Sequence, residues 1–112
     1  DGSRTRTNTY IADAVRGTLA ALEGARDGET YNIGGSEPIS VAKAVEMLGE
    51  LVGVEPIIEY GPDRIGDQVH TSAVITKAHA DFGYQPQVHP REGLALQVAW
   101  QRELANELQP VS

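Results

Sequence analysis

The 112-residue chain contains no cysteine, which excludes disulfides, thiolate metal sites and cysteine nucleophiles. Aromatic residues make up only 5% of it, so any core must be built mainly from Ala, Val, Leu and Ile. Cations are scarce: nine Lys and Arg stand against sixteen Asp and Glu, a net charge of -7. That balance argues against a nucleic-acid binder and against an anionic membrane surface, because phosphate neutralisation needs clustered Lys and Arg. No apolar run nears the roughly 18–20 residues that span a bilayer, and nothing resembles a signal peptide. What is present is a chain 40% hydrophobic, a composition that folds rather than stays disordered. Its length allows one domain. The expectation is a soluble, cytoplasmic domain, small enough for its core to be marginal alone.

The sequence begins with Asp rather than Met, and Asp1-Gly2-Ser3 reads as the tip of a turn. A segment of a longer chain is therefore expected. Ile11, Ala14, Val15, Thr18, Leu19 and Leu22 form a helical stripe that stops between Gly24 and Gly28. Asp13 is placed to cap that helix. Glu29 to Ile33 reads as a strand closed by Gly34-Gly35. Ser40 is the expected N-cap of a second helix, whose stripe runs from Val41 to Val52 before Gly53. Pro56 to Tyr60 reads as a short strand, Gly61 to Gly66 as a loop, and Val69 to Ile75 as extended or a short strand. Thr76 would cap a brief helix ending at Gly83. Pro90 and Glu92 open a last helix running to about Leu108. A strand between two amphipathic helices predicts a βαβ-like unit and a parallel sheet. Two strands do not make a stable parallel sheet, which again points to strands missing upstream.

No Gly-x-Gly-x-x-Gly or Gly-x-x-Gly-x-x-Gly loop precedes a helix, and no Tyr-x-x-x-Lys pair occurs. His70, His79 and His89 lie nine and ten residues apart, which matches no local zinc spacing. No Gly-x-Ser-x-Gly elbow is present. The residues by themselves complete no active site. Two clusters stand out from the acidic background: Arg4-Thr5-Arg6, and Asp63-Arg64-Ile65-Gly66-Asp67 in the glycine-flanked loop. A guanidinium grips a phosphate bidentately and keeps its charge, and a carboxylate accepts from two hydroxyls of a diol. The competing reading is of solvated arginines paired with nearby carboxylates for about 0–1 kcal/mol.

Asp1-Gly2-Ser3-Arg4-Thr5-Arg6 followed by Thr9-Tyr10-Ile11-Ala12-Asp13 resembles the "Asp-Gly-x-x-x-Arg-Asp-x-x-Tyr-Val-x-Asp" stretch of the extended short-chain dehydrogenases/reductases, the NAD-dependent nucleotide-sugar epimerases and dehydratases. Tyr31-Asn32-Ile33-Gly34 resembles their "Tyr-Asn-Val-Gly", and Arg64-Ile65-Gly66-Asp67 their "Arg-Pro-Gly-Asp" loop. Ala73 to Ala78, Phe82 to Pro86, and Glu92-Gly93-Leu94 with Trp100 continue the match in order. The departures are Thr7 for an Asp, Ile65 for a Pro and Val74 for an Asp.

The resemblance implies an α/β fold. Residues 1–112 would be the C-terminal substrate-binding region, with the Rossmann core mostly missing. It implies that Arg6 and Arg64 contact the diphosphate of a nucleotide sugar and that Asp67 holds the ribose hydroxyls. Arg4 has no counterpart and is expected at the surface. NAD and the catalytic Tyr-x-x-x-Lys would belong to the missing half, leaving no cofactor site here. The loop is closer to the 4-epimerase pattern on a UDP- or dTDP-hexose. Dehydratase, decarboxylase and reductase chemistry, and a non-catalytic binding module, are the alternatives. A fragment with uncovered apolar stripes is also expected to self-associate, or to form a homodimer.

Overall fold

The computed structural model describes residues 1–109. The order of elements is β1 (Thr5–Arg6), α1 (Ile11–Gly24), β2 (Ile39–Ser40), α2 (Val41–Val52), α3 (Thr76–Phe82) and α4 (Pro90–Glu107). This is a mixed helical fold with one small sheet. Its helices pair as α1 with α3 and α2 with α4. The radius of gyration is 17.3 Å, against about 13 Å for a close-packed domain of this length. The chain is therefore spread out, and its core is thin. Asp13, Ala78 and Tyr84 are its buried centre.

The helices begin and end where local chemistry dictates. Ser40 Oγ accepts the Lys43 N–H at 3.1 Å, satisfying one of the free donors of the first turn of α2. The helix closes at Gly53, whose N–H returns to the Gly49 carbonyl. Pro90 opens α4, where a missing N–H costs nothing. Thr76 is the first residue of α3 rather than its cap, which is Ile75. Arg102 on α4 donates to the Val52 carbonyl at 3.2 Å. Its charge thereby meets the negative end of α2.

The expected strands and their sheet need correction. Segment 29–33 forms no strand among the described residues. It is held by side chains instead: Tyr31 O–H donates to Asp81 at 2.6 Å, and Tyr84 O–H donates to the Gly34 carbonyl at 2.6 Å. Ile33 fits against Gly17 so closely that a Cβ on Gly17 would lie 2.8 Å from its Cδ1. Residues 56–60 likewise form no strand among the described residues, and Ile57 is 96% exposed. The sheet is therefore not a parallel βαβ unit. It is an antiparallel pairing of β1 with β2, with Thr5 opposite Ser40 and Arg6 opposite Ile39. Among the described residues, only His70 of 69–75 is bridged, in parallel with Thr5.

Asp13 is not the cap of α1; Tyr10 holds that position, without a side-chain bond. The Asp13 carboxylate is fully buried and accepts the backbone N–H groups of Gln87 and Val88 at 2.9 and 3.1 Å. The apolar stripe of α1 also turns outward. The buried side of α1 carries Asp13 and Gly17, while Ile11, Leu19 and Leu22 are more than half exposed.

Candidate functional site

β1 is only two residues long, yet it gathers the site. On one side it pairs with β2 at the foot of α2. On the other, Thr5 N–H donates to the Val69 carbonyl at 3.0 Å and the Thr71 N–H returns to Thr5 at 3.2 Å. The loop at 61–68 is thus hung beside Arg4 and Arg6, more than fifty residues away in sequence. Alternation along the strand then sorts the side chains. Thr5 Oγ1 pairs with His70 Nδ1, while Arg4 and Arg6 reach the loop.

The loop ends in a turn in which the Asp67 N–H donates to the Arg64 carbonyl at 3.2 Å. Gly66 sits third in that turn with φ 84°. That is the left-handed value a type II turn requires there, at no cost to glycine. Ile65 fills the second position, where Pro is common. Arg64 and Asp67 are therefore the two ends of one β-turn, and both face solvent.

Asp67 is held by two guanidinium groups. Arg6 Nη2 lies 2.8 Å from Oδ1, and Arg4 Nη1 lies 2.6 Å from Oδ2. Arg6 also donates to the Gln68 carbonyl at 2.7 Å. Arg4 donates to the Asp67 carbonyl at 2.8 Å and meets Asp63 at 3.3 Å. The Asp67 side chain stays 41% exposed. A carboxylate offers about four lone-pair sites, so two remain for outside donors.

Of the residues singled out in the sequence, Arg6 and Asp67 are in contact and Arg64 stands across the turn from them, with no ion pair among the described residues. Sequence reasoning set Arg4 aside as a surface residue. Its side chain is in fact only 19% exposed and makes two of the ion pairs in the cluster. The signal was its spacing: positions two apart on a strand share a face. Gly34-Gly35 offers no space for an anion, since a Cβ at Gly35 would fall 1.9 Å from the Asn8 carbonyl oxygen. The histidines are apart, bonded to Thr5 and to the Tyr84 carbonyl, or 3.7 Å from Glu37. Thr7, which replaces an Asp beside Arg6, buries a hydroxyl without a partner among the described residues.

A second charged group lies under α3. Tyr31 and Arg26 bond Asp81 and hold its carboxyl below the usual range, in that order of effect. Lys77 bonds Glu29, which is lowered likewise. Lys77 Nζ also sits 4.8 Å above the Tyr31 ring. These groups tie segment 26–31 to α3.

The same arrangement of elements occurs in known proteins. A UDP-glucuronic acid 4-epimerase of Bacillus cereus, solved with UDP-glucuronic acid and NAD, superposes with a TM-score of 0.87 at 36% identity. The match covers 93% of this chain and 34% of that one. The chain belongs to the extended short-chain dehydrogenase/reductase family. A dTDP-glucose 4,6-dehydratase of Streptomyces venezuelae matches the whole chain and 35% of its own length, with TM-score 0.87 and 31% identity. A UDP-glucuronate 4-epimerase of Thermodesulfobacterium geofontis is 36% identical over 104 residues, 92% of this chain and 32% of that protein. This short-chain dehydrogenase/reductase chain thus spans about a third of the length of the relatives it matches, and it corresponds to their C-terminal portion. No protein-family model matches it.

Proposed function

We propose that residues 1–112 form the nucleotide-sugar-binding region of an NAD-dependent nucleotide-sugar 4-epimerase, with a UDP- or dTDP-hexose as substrate. The observation that carries this reading is the β-turn with Arg64 at one end and Asp67 at the other, docked on Arg6. A fixed cation and a fixed carboxylate one turn apart suit a diphosphate and the adjacent ribose diol. Arg64 grips the diphosphate from the loop side, Arg6 from the strand side, and Asp67 accepts from the ribose hydroxyls. Both the sugar-nucleotide epimerases and the dehydratase among the relatives support the substrate class. The Arg-Ile-Gly-Asp loop favours the epimerase, since the dehydratase pattern carries a His beside the Gly.

NAD supplies hydride chemistry to such an enzyme, and the described residues do not fit it. None of α1 to α4 opens on a glycine-rich loop that could cradle a pyrophosphate. By this reading the region contributes binding and orientation, and works in the cytoplasm. No helix among the described residues is long and apolar enough to cross a membrane. The test is calorimetric titration of the chain with UDP and, separately, with NAD. UDP should bind, more weakly as salt rises, and NAD should not. Failure to bind UDP overturns the reading.

A further inference from the structure

Arg4 matches nothing in the resemblance that led to Arg6, Arg64 and Asp67, yet it is the least exposed arginine of the cluster. We propose that Arg4 is a positioning residue of the nucleotide site: it anchors Asp67 so that Arg6 is free to be shared with an incoming phosphate. The inference rests on the nucleotide reading above and deepens it.

The geometry divides the Asp67 carboxylate between two cations, Oδ1 to Arg6 and Oδ2 to Arg4. The two arginines are not equivalent. Arg6 reaches Asp67 with one terminal nitrogen, which also serves the Gln68 carbonyl, and spends the other on the Thr5 carbonyl at 2.8 Å. Arg4 grips the loop at three points: the Asp67 carboxylate, the Asp67 carbonyl and the Asp63 carboxylate. It is also fixed from behind. The Arg4 carbonyl accepts the Val41 N–H at 2.9 Å, and the Gly2 carbonyl accepts the Ala42 N–H at 2.9 Å. Arg4 therefore connects an exposed loop to the first turn of α2.

Charge gives the second argument. Asp67 beside a diphosphate would repel it. With Arg4 in place, three arginines face two aspartates in the cluster, and the local balance is positive. Without Arg4 the balance is nil. When Arg6 turns to a phosphate, Arg4 keeps Asp67 neutralised and aimed at the ribose. The ion pair with Asp67 is partly shielded, so its loss should be felt more than that of an open surface pair.

The test is UDP titration of the chain as wild type, R4A, R4Q, R4K, D67N and the double variant R4A/D67N, with thermal melting of each. R4A and R4Q should weaken UDP binding about threefold to tenfold. R4K should recover part of the loss, because it keeps the charge and loses the fork. In the D67N background, R4A should cost little further, since Arg4 acts through Asp67. Two results overturn the proposal: R4A and R4Q binding UDP as tightly as wild type, or R4A costing as much with D67N as without it. If R4A melts early, R4K decides, for it keeps the charge and most of the length of the side chain and should bind UDP less tightly than wild type while melting with it. Absence of UDP binding by the wild type overturns the nucleotide reading and this inference with it. Binding by the wild type with an indifferent Arg4 overturns this inference alone.

Discussion

Asp13 on α1 accepts the backbone N–H of Gln87, 74 positions later, at 2.9 Å from a fully buried carboxylate. Its second oxygen takes the Val88 N–H, and Arg16 pairs with the first. One side chain thereby fixes the connector that leads into α4. Asp13→Ala leaves two amide donors without their acceptor, and an unpaired buried donor costs about 1–3 kcal/mol. The expected loss is about 2–5 kcal/mol of stability, a large part of what a domain of this size holds. Urea unfolding followed by circular dichroism measures it. An unchanged midpoint would mean the connector is held by something else.

Arg64→Ala should weaken UDP binding about tenfold to a hundredfold, the value of a charge-assisted hydrogen bond of roughly 1.5–3 kcal/mol. Arg64 is the only cation between Gly61 and Gly66, so no loop neighbour replaces it. Arg64→Lys should restore only part. The variants should melt with the wild type, since Arg64 is exposed. Titrations at one fixed low salt concentration decide it, and equal affinities would return Arg64 to the solvent.

Stability should fall at acid pH through Glu29 and Asp81. Lys77 lowers Glu29, chiefly through its hydrogen bond, and Tyr31 then Arg26 lower Asp81. A carboxyl lowered by folding stabilises above its unfolded value and loses that contribution as pH falls through the folded one. The melting temperature should therefore decline once pH falls below about 4, the ordinary range of unfolded carboxyls, and continue to fall as the lowered folded groups protonate. Tyr31→Phe and Lys77→Met should flatten the decline. A melting temperature steady down to pH 2 would contradict the assignment.

The outward stripe of α1 should make the chain self-associate. Ile11, Val15, Leu19 and Leu22 are 65%, 48%, 58% and 84% exposed, and a contiguous apolar patch favours association. Sedimentation should show a mass that rises with concentration, and Leu19→Glu should lower it. A monomer at every concentration, for both proteins, would remove the stripe as the cause.

Some of this protein could be read residue by residue. Ser40 and Gly53 bound α2 and Pro90 opens α4, because caps and stops act within one turn of chain. The Arg64–Asp67 turn follows from Gly66 for the same local reason. Other features needed distant residues. Asp13 has the look of a helix cap, and only the return of 87–88 to its side makes it a buried tether. Segment 29–33 has strand composition, but a strand exists only beside a partner, and here its side chains face α1 and α3. The stripe of α1 showed that a helix forms without showing which side is covered. Arg4 lay in plain view as a cation in an acidic chain. Its role appeared once β1 brought positions 4 and 67 together, because an ion pair depends on distance in space, which local sequence does not encode.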